Sequence, residues 1–187
     1  MRNPLKILAI PGSARASSFN RGLLIAARNI DSSEFEIKIY EGLAELPIFS
    51  QDLEGENTPA RASELDTALR NADAVLIATP EYSGSIPGGL KNLLDWGSRP
   101  FGNGAFQGKP TAIIGTSPGQ YGAARSVEMT KNIVRGLGAT VLERDLTVGS
   151  AMERFNSDGT LSDVIVKRAL EDILADLSDL ARQAVAA

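Results

Sequence analysis

Three glycine- and hydroxyl-rich stretches carry most of the chemistry this sequence can offer. The first reads Gly12-Ser13-Ala14-Arg15-Ala16-Ser17-Ser18-Phe19-Asn20. It puts hydroxyls, a guanidinium and a carboxamide where an apolar run ends and an amphipathic one begins. Free backbone N–H groups and the positive end of a helix dipole attract an anion at such a place. Arg15 adds a charge-assisted contact suited to phosphate. The same residues also make an ordinary polar turn with Ser17 or Ser18 as N-cap, and the stretch alone leaves both readings open. The second stretch is Thr79-Pro80-Glu81-Tyr82-Ser83-Gly84-Ser85-Ile86-Pro87-Gly88-Gly89. Its prolines and glycines fix a backbone whose N–H groups can meet the edge of a planar heteroaromatic ring, with Tyr82 as a stacking face. A turn-rich connection with Tyr82 packed is the plainer alternative. The third, Thr116-Ser117-Pro118-Gly119-Gln120-Tyr121-Gly122-Ala123, repeats that composition after another apolar run and by itself also fits a plain connection.

Two missing residue types narrow the chemistry. The 187 residues include no cysteine and no histidine. That removes a thiolate nucleophile, zinc or iron–sulfur sites built on those ligands, and any hydrolase triad with an imidazole base. Carboxylates, lysine, tyrosine or a borrowed cofactor remain. Glu81 is the obvious candidate carboxylate, and its place suits a surface ion pair as well as catalysis. No G-x-G-x-x-G run occurs where a dinucleotide-binding turn would need it. Gly102-Asn103-Gly104-Ala105-Phe106-Gln107-Gly108-Lys109 misses the phosphate-loop spacing of ATPases and GTPases, with Pro110 in place of Ser or Thr. Nineteen basic against twenty-three acidic residues give a net charge of −4, which supports neither nucleic-acid nor anionic-membrane binding. The first apolar run, ending at Pro11, is too short to span a bilayer and contains Lys6, so a cytoplasmic protein is expected.

These stretches must be positioned by the elements around them. Strands are expected over residues 5–10, 35–40, 73–79, 111–115 and 140–146. Helices are expected over residues 19–29, 60–71, 87–96 and 123–137, with a final one over 162–184. Strands alternating with helices over residues 1–187 read as one domain: a doubly wound, five-stranded parallel sheet with helices on both faces. In such sheets ligands bind outside the carboxyl ends of the strands, which is where all three stretches fall. Lys91 and Asp95 are spaced to pair on a helix, and Trp96 reads as core or subunit contact.

Together the three loops resemble the NADPH-dependent FMN reductase family, in particular its chromate- and quinone-reducing bacterial branch. The resemblance spans essentially the whole chain. It is most specific in Thr79-Pro80-Glu81-Tyr82, Ser85-Ile86-Pro87-Gly88-Gly89-Leu90-Lys91-Asn92 and Asp95-Trp96. The resemblance implies a flavodoxin-like fold with noncovalent FMN, its phosphate on Ser13, Arg15, Ser18 and Asn20. Pro80, Glu81, Tyr82 and Ser83 would line the isoalloxazine, and Ser117 with Gly119 would close its other side. It implies hydride transfer from NADPH or NADH to FMN and onward electron transfer to quinones, azo compounds, chromate-like oxidants or free flavin. No obligatory catalytic residue and no metal are implied, because the flavin carries the chemistry. A homodimer or homotetramer is implied as well. A flavodoxin-like electron carrier without its own NAD(P)H site is the alternative. Two positions depart from the family pattern: Ser83 stands where Asn is common, and Ala123 where a second glycine is frequent.

Overall fold

Near-continuous apolar runs form the middle of the sheet, as parallel strands covered on both faces require. In the computed structural model, which describes residues 3–186, these are β1 (Leu5–Pro11), β3 (Ala74–Thr79) and β4 (Pro110–Thr116). Every residue of β3 and β4 is buried. β2 (Phe35–Ile39) alternates half-buried and exposed positions along most of its length and lies at the edge. The order is β2-β1-β3-β4, all parallel, with Ile7 beside Ile37 and Ala74, and Ile77 beside Ile113.

The strand expected over residues 140–146 is broken in two. β5 (Thr140–Val141) pairs with the start of β4, and β6 (Leu146–Val148) pairs with its end. Lys131 is 4% exposed, and its ammonium donates to the Glu143 carbonyl at 2.7 Å and the Asp145 carboxylate at 3.1 Å. A buried charge needs such partners, and residues 143–145 leave the ladder to supply them.

Helices cover both faces. α1 (Phe19–Arg28) and the terminal α6 (Val164–Ala186) lie on one side, where Leu23, Leu24, Leu170 and Leu177 pack with Ile7 and Leu76. α2 (Ala60–Arg70), α3 (Gly88–Gly97) and α4 (Ala124–Gly136) lie on the other, where Leu65, Leu90 and Val134 meet Leu8, Val75 and Ile77. A short α5 (Ala151–Arg154), not expected from the sequence, follows β6. Trp96 is core: its ring meets Phe49 edge-on at 5.0 Å and its indole N–H donates to the Pro47 carbonyl at 2.8 Å. Lys91 and Asp95 pair at 2.5 Å as their spacing requires. Lys109, in the glycine-rich stretch before β4, donates to the Ala72 carbonyl, a tie between β3 and β4 rather than a phosphate contact.

Candidate cofactor site

The winding direction reverses between β1 and β3, and open α/β sheets bind ligands at such a switch point. The three loops meet there. The Gly12 N–H donates to the Ala78 carbonyl at 2.7 Å. A Cβ at position 12 would sit 3.0 Å from both that oxygen and the Thr79 Cα, so glycine lets the first loop lie against the end of β3. Ser13 follows, 6% exposed, with its hydroxyl 3.1 Å from that of Tyr82 and accepting the Arg15 N–H at 3.3 Å. The first and second loops are thereby brought together.

Ser18 occupies the N-cap position of α1 with φ −74° and ψ 128°, yet its side chain makes no capping bond. No acidic residue stands in the first turn, and the N–H groups of Phe19, Asn20 and Arg21 find no acceptor among the described residues. Arg15 is exposed; its guanidinium donates to the Ser17 hydroxyl at 2.9 Å and has no carboxylate partner among the described residues. Unmet donors, a helix N-terminus and a free guanidinium are the donor set a phosphate needs, and no carboxylate in the loop opposes it. Residues of the first loop thus fit the phosphate of FMN.

Asn20 sits differently from its neighbours. It is 2% exposed, and its carboxamide donates to the Thr116 carbonyl at 2.9 Å while accepting the Thr116 N–H at 3.0 Å. Both ends of the side chain tie α1 to the end of β4, which leaves only its backbone N–H facing the loop.

The second loop is a miniature hairpin. Tyr82 and Ser85 exchange backbone hydrogen bonds of 3.0 Å in both directions around Ser83 and Gly84, at φ 52° and 75°. Two positive φ values mark a type I′ turn, whose preferred pair is Asn-Gly. Ser83 therefore carries a strain that Asn relieves. Tyr82 stays 50% exposed at the hairpin. Pro80 is buried, and Glu81 forms no ion pair among the described residues. Thr79 anchors the loop from beneath, its hydroxyl 2.8 Å from that of Ser126 on α4.

The third loop is pinned to the strand beside it. The Thr116 hydroxyl and the Ser117 N–H both donate to the Val148 carbonyl, at 2.8 and 3.2 Å. The Gly119 carbonyl accepts the Ser150 N–H at 3.1 Å, and the Ser117 hydroxyl lies 3.4 Å from it. Gly122 and Ala123 are both left-handed, φ 59° and 67°. Both departures from the family pattern thus fall on left-handed residues, where Asn and Gly are the easy choices.

Sequence reasoning named Gly12, Thr79 and Thr116 within the three stretches but missed that they join the loops; the threonine that ends both β3 and β4 was the available signal. It also missed the Arg21–Glu41 fork beside the first loop, with N···O distances of 2.8 and 2.7 Å. Each group holds the other charged, the carboxyl below its ordinary range and the guanidinium above. Among the described residues, no cluster of three metal-ligating side chains occurs and no helix is long and apolar enough to cross a membrane.

Comparison with known proteins identifies the family and the fold. Residues 5–153 match the family described as NADPH-dependent FMN reductase. A quinone reductase of Pseudomonas putida is 34% identical over 164 residues, 87% of this chain and 88% of that protein. The flavoenzyme NAD(P)H:(acceptor) oxidoreductase FerB of Paracoccus denitrificans superposes with TM-score 0.86 at 29% identity, covering 96% of this chain and 98% of that one. A cysteine-to-alanine mutant of the flavodoxin from Pseudomonas aeruginosa, at 18% identity and TM-score 0.60 over 95% of this chain and 99% of its own, shares the fold. The chain belongs to the NADPH-dependent FMN reductase family and is an FMN-dependent oxidoreductase that draws on NAD(P)H.

Proposed function

We propose that this enzyme reduces quinones with NADPH or NADH through FMN held on the three loops. The observation that carries the site is the uncapped N-terminus of α1, where Ser18 makes no capping bond. Ser13, Arg15 and Ser18, with the backbone N–H of Asn20, hold the phosphate. Pro80, Glu81, Tyr82 and Ser83 border the ring on one side, and Ser117 and Gly119 on the other. FMN, when bound, supplies the capacity to accept hydride and release electrons.

The protein's residues position and enclose. Arg15 neutralises the phosphate, and the Ser13–Tyr82 contact sets how far the first and second loops open. The half-exposed Tyr82 ring offers an apolar face next to the site, to which a flat acceptor can be admitted. Quinones are the favoured acceptors because the Pseudomonas putida relative is named for them. Azo compounds, chromate-like oxidants and free flavin are further acceptors on the same reading. The chain is then one domain over residues 1–187, a homodimer or homotetramer of the cytoplasm that binds no nucleic acid.

The test is steady-state turnover of the FMN-loaded protein. NADPH consumption should rise when benzoquinone is added, with one hydroquinone formed per NADPH. NADPH consumption indifferent to benzoquinone would overturn the acceptor assignment.

A further inference from the structure

A groove of about 860 Å³ runs between α2 and the strands β1 and β2, on the opposite side of β2 from α1. Its floor is Lys6 and Leu8 of β1 beside Glu36 and Lys38 of β2, with Tyr40 at the inner end. Its wall is the stripe Glu64, Thr67 and Ala68 on α2, continued by Asn71 at the C-cap. Helical spacing puts these on one face, and none is a large apolar side chain, so this part of β2 is left uncovered. The volume lies within the range of small-molecule sites.

Two further observations point to an occupant. Tyr40 is 8% exposed, and its hydroxyl is buried without a hydrogen-bond partner. A buried donor left unmatched is destabilising, and such groups are rare in native proteins. Gly42 folds over it so closely that a Cβ there would sit 2.6 Å from the hydroxyl oxygen. Burial pushes the phenol above its ordinary pKa, which keeps it a neutral donor at physiological pH. Lys6 and Lys38 make no ion pair among the described residues, against the single unpaired carboxylate of Glu36. Arg61 and Glu64, at the wall, pair with each other.

We propose that this groove is a second ligand site, apart from the flavin site, and that it takes a small planar aromatic acid. The ring system lies over Leu8 and Ala68, the acid group meets Lys38 and Lys6, and an oxygen at the far end of the ring accepts from Tyr40, whose hydroxyl the Gly42 turn uncovers as the ligand enters. A site lined by apolar surface with a few convergent polar groups selects such a molecule over a peptide, which would need the unpaired edge of a strand.

The probe is 6-hydroxy-2-naphthoate, titrated into the FMN-loaded protein by calorimetry and ligand-observed NMR. One equivalent per chain should bind with FMN still in place. Lys38→Glu should weaken it about tenfold or more, and Ala68→Trp, which fills the groove, should abolish it. If Ala68→Trp does not fold, the exposed Lys38→Glu carries the test. Tyr40→Phe separates ligand binding from packing. It should weaken the probe while leaving the free protein as stable or more so, because the lost hydroxyl had no partner. No binding by the natural chain would overturn the proposal, including the case where a second copy covers the groove. So would displacement of the probe by FMN, or affinity unchanged in Lys38→Glu and Tyr40→Phe.

Discussion

Asn20→Ala tests the division of labour within the first loop. The Asn20 carboxamide makes two hydrogen bonds to Thr116, at 2.9 and 3.0 Å, and Thr116 is 1% exposed. Removing one partner leaves the Thr116 N–H and carbonyl buried and unmatched, at about 1–3 kcal/mol each. Partial relaxation and water entry bring the expected loss to about 2–5 kcal/mol. At roughly 2–4 °C per kcal/mol for a chain of this size, Tm should fall by about 5–15 °C. Urea unfolding should show a lower midpoint at unchanged slope. Asn20→Asp keeps the acceptor and loses the donor, so it should lose stability too. A loss below about 0.5 kcal/mol, with FMN weakened and riboflavin not, would refute the reasoning: the side chain would then serve the phosphate and not β4.

The remaining expectations are more local. Arg15→Ala should weaken FMN about tenfold or more and riboflavin much less, as fluorescence titration of both ligands would show, because a charge-assisted phosphate contact is lost. Equal losses would remove Arg15 from the phosphate. Ser83→Asn converts the hairpin to the favoured Asn-Gly pair and should add about 0.5 kcal/mol to stability by urea unfolding; a decrease would mean that the turn is not type I′. The Glu41 carboxyl is held below its ordinary range by the Arg21 fork, and that of Asp163 by the Val166 N–H and then Arg154. Their folded values lie below the unfolded ones, so this stability is present above the ordinary carboxylate range and is lost as pH falls through and below it. Unfolding midpoints should therefore drop on acidification below about pH 4.5, less steeply in Glu41→Gln, and a rise would contradict the assignment.

Periodicity was enough to read the inner strands and the five longer helices, because burial on both faces or one face writes itself into neighbouring residues. The split of the last strand was not legible. It depends on the Lys131 ammonium, which reaches the Glu143 carbonyl from twelve positions away in the chain. Asn20 shows the same limit within the site. In the sequence it stands among phosphate-loop residues, but its partner Thr116 is 96 positions distant. No local pattern distinguishes a strut from a ligand there. Ser83 and Ala123 were visible as departures from the family pattern, yet only the backbone shows that both sit at positive φ. The uncapped Ser18 reverses the usual inference, since a serine before a helix normally reads as its cap.

The most direct test of the account is anaerobic addition of NADPH to the purified protein after loading with FMN and removal of free ligand. Flavin should be retained, and its visible absorbance should bleach at one equivalent of NADPH. Flavin that is retained and reducible by dithionite, but stays oxidised with both NADPH and NADH, would contradict it and leave a carrier served by a separate reductase.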